Sequence, residues 1–333
     1  MSQDSLVVEN LTKVYRKRGK EDVVALGGVS FSLKKGEIVA LLGENGAGKT
    51  TAIKCACTLI RPTSGRVLID GMDPSRHPRA TLGKIAAVLE GNRNVYWQLT
   101  VRQNLEFFAG IQGIPFKRVR AYVDVLLRTF RLDHKVDTVA RMLSRGMQQK
   151  LALACALVKQ TDILLLDEPT LGLDVTTSIE LRTVLQEMAA REDRTIMLSS
   201  HDMGVVEAVC DRVIIMHQGR VLVDDRLSKL LDLFRPQAYR CRLAEPLTEL
   251  QEQAIRSRFP GAAVQSRVQD EAAEVEISVP EGFYAVVDVL RDTGAAVHSI
   301  ERRAPTLEEV FLSITKGTRT PSAPPAEPVA LAV

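Results

Sequence analysis

Cysteine is scarce and irregularly placed in this 333-residue chain. Cys55, Cys57, Cys155, Cys210 and Cys241 share no repeated spacing, and no CxxC pair accompanies the first two. That speaks against a disulfide framework or a metal site built on thiolates, and reduced, mostly buried thiols are expected. Long apolar runs are missing as well. The longest, Ile38–Gly43 and Leu151–Val158, fall far short of the roughly 20 residues that a membrane span requires. The opening MSQDSLVVENL has neither the basic region nor the apolar core of a secretory leader. Any role at a membrane would therefore run through a partner. Charge of one sign is also lacking. A net charge of +3 is too small to argue for a nucleic-acid partner, and none is expected.

What is present is ordinary globular material, 45% apolar and 26% charged, in a chain long enough for two globular units. Residues 1 to 230 alternate β-branched runs with helical patterns, the mark of an α/β fold around a central sheet. Ile38–Leu42, Ile163–Leu166, Thr195–Ser199 and Val213–Met216 read as strands, and Gly48–Leu59, Gln148–Val158 and Val175–Ala190 as helices. Leu6–Leu33 reads as antiparallel strands joined by the basic turn Arg16–Lys20, taken as a solvated loop. A second unit begins near Pro236. It runs strand (Tyr239–Leu243), helix (Pro246–Arg258), strand (Ala263–Arg267), strand (Glu274–Val279), helix (Phe283–Thr293), strand (Val297–Arg302). That order is the split βαβ arrangement. Thr306 then caps a last helix, and the proline- and alanine-rich tail from about Thr318 is expected to be disordered.

The chemistry starts at Gly43-Glu44-Asn45-Gly46-Ala47-Gly48-Lys49-Thr50-Thr51, which fits GxxxxGK followed by Ser or Thr, with an apolar strand before it and a helix after. A polyanion needs many donors and little bulk. The glycines let backbone N–H groups turn inward, and the helix start adds its positive end. Lys49 supplies a point charge for the outer phosphates, and the Thr50 hydroxyl is placed to ligate Mg²⁺. Ile163–Leu166 ends in Asp167 and Glu168. Asp167 fits a Mg²⁺-holding carboxylate, and Glu168 can orient or deprotonate an attacking water. His201 follows the strand Thr195–Ser199, where a polar residue faces the ligand crevice of a parallel sheet and can reach a γ-phosphate. His77, His134, His217 and His298 have no such setting. Ser144 caps a helix about twenty residues before the acidic pair, offering a second set of free N–H groups. One chain has little use for two phosphate cradles, whereas a head-to-tail dimer does.

Taken in order over residues 5–230, these motifs resemble the ATPase subunit of an ATP-binding cassette (ABC) transporter. GENGAGKTT resembles Walker A, LSRGMQQ (Leu143–Gln149) the family signature, ILLLDEP (Ile163–Pro169) Walker B, and LGLD (Leu171–Asp174) the loop that touches the opposite subunit. His201 matches the switch histidine and Tyr15 the aromatic that stacks on adenine. The resemblance implies a phosphate-loop (RecA-like) cassette with an antiparallel β subdomain and a helical subdomain; the strand and helix pattern beyond it adds a small ferredoxin-like α+β accessory domain over 236–316, and composition the tail 317–333. The resemblance also implies ATP and Mg²⁺ as ligands, with Ser144, Gly146 and Asp174 acting on the nucleotide of a second copy. Two motifs depart from the pattern, at three positions. Arg145 and Met147 replace a glycine and the glutamine of LSGGQ, and Glu90, in AVLEG, stands where glutamine is usual near the metal.

The stretch from Asn92, with LTVRQNL, is similar to the segment that contacts a membrane partner, and Tyr96, Trp97, Phe107 and Phe108 would be its anchors. With the variant signature and TLEEVFL (Thr306–Leu312), it resembles the exporter subfamily that pairs with a separate ABC-2-type permease, whose usual cargoes are drugs, lipids or polysaccharides. The implied protein is a homodimeric engine, peripheral on the cytoplasmic face of the cell membrane. Relatives acting on ribosomes or DNA usually carry two cassettes or a long coiled-coil insert, and neither is seen. A module in which nucleotide acts only as a switch is the remaining reading, kept open by the altered signature.

Overall fold

The computed structural model describes residues 4–16, 19, 21–91, 94–173, 175–192, 194–234, 238–259, 264–269, 272–278 and 283–316. Part of the basic turn Arg16–Lys20, Asp174 and the tail 317–333 lie outside them. The chain divides into two compact units, residues 1–227 and 228–333.

The first unit opens with β1 (Asp4–Tyr15), β2 (Val23–Lys34), β3 (Ile38–Gly43), α1 (Lys49–Ala56), β4 (Ser64–Ile69), α2 (Pro78–Leu82) and β5 (Ile85–Val88). Three helices follow, α3 (Val101–Ile111), α4 (Phe116–Thr129) and α5 (Arg145–Leu157). Then come β6 (Ile163–Asp167), α6 (Val175–Glu192), β7 (Thr195–Ser199), α7 (Met203–Val209), β8 (Arg212–His217) and β9 (Arg220–Arg226). Strands β2, β1 and β4 form an antiparallel sheet in that order. Burial alternates along β2, with Val29, Phe31 and Leu33 inside, as expected of a sheet covered on one face. The other six strands form one sheet in the order β5-β6-β7-β3-β8-β9, parallel except for β9.

Every residue of β3, β6 and β7 is buried, because helices cover both faces of a parallel sheet. Residues of α1 (Ala52, Ile53, Cys55, Ala56) pack with Leu41, Leu165, Met197 and Ile214 in one core. Each such large aliphatic side chain contributes roughly 1.5–3 kcal/mol. The sequence reading named no strand at β9. It is an exposed edge whose side chains alternate in burial, joined to β8 by Gln218 (φ 46°) and Gly219 (φ 75°), a two-residue turn of the type that matches strand twist.

The second unit contains α8 (Leu227–Leu233, beginning at the boundary), β10 (Ala238–Leu243), α9 (Glu249–Arg258), β11 (Val264–Gln269), β12 (Ala272–Ser278), α10 (Phe283–Asp292), β13 (Val297–Arg302) and α11 (Leu307–Thr315). Its sheet order β11-β12-β10-β13 is antiparallel throughout, the split βαβ topology. Tyr239, Cys241 and Leu243 point from β10 into a core with Ile255, Phe259, Val286 and Leu290. The expected cap is present: the Thr306 side chain accepts from Glu309 N–H, and the Glu309 side chain accepts from Thr306 N–H. No helix among the described residues is long and apolar enough to cross a membrane.

Candidate nucleotide and metal site

The site sits at the carboxyl edge of the parallel sheet. Register sets Ser199 of β7 beside Leu41 of β3 on one side and Asp167 of β6 on the other. Strand β7 therefore lies between the phosphate loop and the acidic pair, and it carries Ser199 and His201 into the gap. A cleft of about 570 Å³ opens there, lined by residues 44–51, Tyr15, Val23, Val24, Ala25, Glu90, Glu168, Leu171 and His201.

The loop is held by the strands around it. Gly219 N–H donates to Ala47 O at 3.0 Å, and Gly27 N–H donates to Gly219 O at 2.8 Å. Gly48 has φ +103°, and a Cβ there would lie 2.5 Å from Ala25 O, so only glycine fits. It is also the N-cap of α1 and provides no side-chain cap, which leaves the helix's first N–H groups for a ligand. Lys49 Nζ donates to Gly43 O at 2.7 Å and to Glu44 O at 3.3 Å. The ammonium is thus parked over the loop it would serve.

Thr50 Oγ1 donates to Asp167 Oδ1 at 3.1 Å, and Ser199 Oγ donates to the same oxygen at 2.7 Å. The other oxygen, Asp167 Oδ2, is buried with no hydrogen-bond partner. An ionised oxygen left in that state is costly, and a hydrated cation held between it and Thr50 would satisfy it. Among the described residues no cluster of three or more His, Cys, Asp or Glu could hold a metal. The ion must complete its shell from water and phosphate oxygens, which is how Mg²⁺ is usually bound.

Glu168 has φ +50°, a conformation that costs a non-glycine residue free energy and is found at functional sites. Its N–H is held by Ser199, by the carbonyl at 3.1 Å and by Oγ at 3.0 Å. Its Oε2 lies 2.8 Å from His201 Nδ1. An ionised carboxylate has no donor, so the shared proton is that of the imidazole.

Sequence reasoning did not single out Ser199, although it bonds the carboxylate of Asp167 and the backbone N–H of Glu168. Serine at a strand end is common, and its value comes from register across β6 and β7. Val23, Val24, Ala25 and Leu171 were also missed. They stand beside Tyr15 or Glu168 only through pairing and turn geometry, Tyr15 opposite Val23 for instance.

Ser144 caps α5, accepting from Met147 N–H at 3.3 Å. Neither it nor Gly146 lines the chain's own cleft. Asp174 lies outside the described residues. Glu90 does line the cleft, on a turn where Asn94 Oδ1 accepts from Leu89 N–H and Asn94 Nδ2 donates to Leu89 O and Gly91 O. It also lines an adjoining pocket of about 120 Å³, together with Glu168, Arg145, Gln149 and Trp97.

A phosphate loop opening a helix, a metal-ready carboxylate and a poised glutamate define a phosphate-loop nucleoside triphosphatase. Comparison with known proteins narrows this. The sequence matches the family described as ABC transporter over residues 26–171. It is 37% identical over 218 residues to the ABC transporter ATP-binding protein NatA of Bacillus subtilis, covering 66% of this chain and 88% of NatA. It is 34% identical to the methionine import ATP-binding protein MetN of Geobacillus kaustophilus, covering 69% and 67% respectively. The structure of an ATP-binding subunit of an ABC transporter superposes with a TM-score of 0.62 at 32% identity, covering 69% of this chain and 92% of that one. The chain belongs to the ATP-binding subunits of ABC transporters, and its ligands are ATP and Mg²⁺.

Proposed function

We propose that this chain is the ATP-hydrolysing engine of a membrane exporter that pairs with a separate ABC-2-type permease. The observation that carries the engine reading is the division of the site. The phosphate loop, Glu168 and His201 converge on one cleft, with Asp167 bonded to Thr50 behind it, while Ser144 and Gly146 stand apart. A second copy is needed to bring them, with Asp174, to the nucleotide. ATP then closes the dimer, and hydrolysis reopens it. In this reading Tyr15 packs on adenine, backbone N–H groups of residues 43–51 and Lys49 hold the phosphates, and Thr50, Asp167 and Glu90 face the Mg²⁺. The ion neutralises phosphate charge. Glu168 takes the proton of the attacking water, and His201 holds the carboxylate in place.

The export direction rests on the signature variant, the LTVRQNL segment and TLEEVFL. The aromatic surface of that segment supports a permease contact. Tyr96 and Phe107 meet edge-to-face with ring centroids 4.4 Å apart and are 50% and 37% exposed, and Ile111, one turn on from Phe107 in α3, is 59% exposed. Buried Asn104 fixes the approach to this patch, accepting from Tyr96 N–H and donating to Tyr96 O, Leu99 O and Thr100 O. Such a rigid aromatic surface suits a partner helix, and in this reading the chain works on the inner face of the membrane. Names among the relatives point in more than one direction. MetN is an import protein. The human phospholipid-transporting ATPase ABCA3 aligns over 93% of this chain at 29% identity, although the match covers only 18% of that protein. The second unit acts as an accessory, regulatory or dimer-supporting domain.

The test is Glu168→Gln. It should bind Mg·ATP, trap the dimer on its permease, and lower kcat by about 10²–10⁴-fold, the usual share of a general base. Cells carrying it should retain a lipophilic drug that normal cells extrude. Loss of methionine uptake with unchanged drug efflux overturns export. Near-normal hydrolysis overturns Glu168 as the base.

A further inference from the structure

The cleft has an unusual charge balance. Glu44, Glu90 and Glu168 line it, and among the described residues Lys49 is the one lysine or arginine that does, with Asp167 buried and bonded to Thr50. A polyphosphate entering this wall meets mostly its own sign. A further cation, Arg145, lines the small pocket that Glu90 and Glu168 share with the cleft. Neither Glu90 nor Arg145 has an ion-pair partner among the described residues. Arg145 is the one cation among the described residues that line this pocket, so it is the counter-charge the pocket offers to Glu90 and Glu168.

Arg145 also has a built seat. A Cβ on Gly172 would lie 2.5 Å from the guanidinium carbon and 2.8 and 2.9 Å from its two terminal nitrogens. The guanidinium therefore rests flat on the backbone of Gly172, at φ +71°, where any side chain would displace it. Gly172 belongs to the turn that follows Glu168, in which Leu171 N–H donates to Glu168 O at 3.2 Å. Arg145 thus touches the turn that carries the base and faces the pocket that holds Glu90.

We infer that Arg145 is a positioning residue whose guanidinium, seated on Gly172, is the counter-charge to Glu90, so that a carboxylate can face the metal-bound phosphates without repelling them. Glu90 and Arg145, two of the three departures from the family pattern, are then one compensated pair. The inference rests on the Mg·ATP reading of the cleft and is independent of export.

The test is a double-mutant cycle read by calorimetric ATP binding, in EDTA and in excess Mg²⁺. Arg145→Gln should weaken metal-free ATP binding by about tenfold, the size of one close charge coupling, and Mg²⁺ should recover much of the loss. Glu90→Gln in that background should return affinity to within about threefold of the original chain. Gly172→Ala should reproduce the Arg145→Gln defect and add nothing to it, which gives a second route should one variant fold poorly. Losses that multiply in the Arg145→Gln, Glu90→Gln double variant, or a Gly172→Ala defect undiminished in the Arg145→Gln background, overturn the pairing. Failure of the unmutated chain to bind Mg·ATP would instead overturn the reading of the cleft itself.

Discussion

Ser199→Ala isolates the residue that joins the Asp167 carboxylate to the backbone of Glu168. Ser199 is fully buried, and its hydroxyl donates to Asp167 Oδ1 at 2.7 Å while accepting from Glu168 N–H. Alanine leaves the Glu168 amide satisfied, because the Ser199 carbonyl accepts from it as well. The loss is therefore the bond to Asp167. A hydrogen bond to a charged group contributes about 1.5–3 kcal/mol. Thr50 still donates to the same oxygen, which argues for the middle of that range, about 2 kcal/mol. For a unit of 227 residues this lowers the melting temperature by about 4–8 °C. Differential scanning calorimetry with and without Mg·ATP is the assay. The drop should shrink with Mg·ATP bound, since the ion then shares the charge of Asp167. A variant that melts within about 1 °C of the original chain in both conditions would refute the claim that Ser199 sustains the buried carboxylate.

Other expectations follow from the same geometry. Phe107→Asp should leave ATP hydrolysis by the isolated chain intact but weaken co-purification with the permease by about 30-fold or more, the scale of losing one hot-spot aromatic. All five thiols are buried and free. Burial pushes Cys57 and Cys241 from an ordinary 9.0 to about 12, and raises Cys55, Cys155 and Cys210 as well. The folded chain should therefore resist thiol reagents at neutral pH and react only on unfolding. Because the fold keeps thiol protons that the unfolded chain releases, its stability is full below about pH 9 and falls as pH rises toward 12, which urea titrations across that range will show. Deleting residues 236–333 should impair dimerisation or transport while sparing nucleotide binding, and an unchanged transport rate would remove the accessory role.

Most of the parallel sheet was legible because fully apolar runs such as Ile163–Leu166 and Thr195–Ser199 can hardly sit anywhere but between two helical layers. The phosphate loop was legible for a similar reason: its glycines answer a local steric demand that the motif itself records. The antiparallel edges were not. Arg220–Arg226 is polar on its open side, and β4 begins in Ser64-Gly65-Arg66, so neither carries a strong apolar period. The site divided along the same line. Lys49, Thr50, Asp167 and Glu168 announce themselves by local motif. The role of Ser199 depends on register between strands, and the seating of Arg145 on Gly172 depends on a turn meeting a helix start. A linear pattern contains neither. The buried, unpartnered Asp167 Oδ2 belongs to the same class, since a lone pair without a donor becomes visible only in three dimensions.

The strand order has a consequence for how this protein is made. The loop from β3 cannot be completed by its neighbours in the chain. It leans on Met216 of β8, and its threonine meets Asp167 only across 117 residues. On a ribosome adding about 5–20 residues per second, the motif waits roughly 6–23 s for that carboxylate. During that interval the nascent chain holds a phosphate-binding sequence with no metal site and no base. A product truncated before β6 consequently lacks Asp167 and Glu168 and is unable to spend ATP in its own cleft.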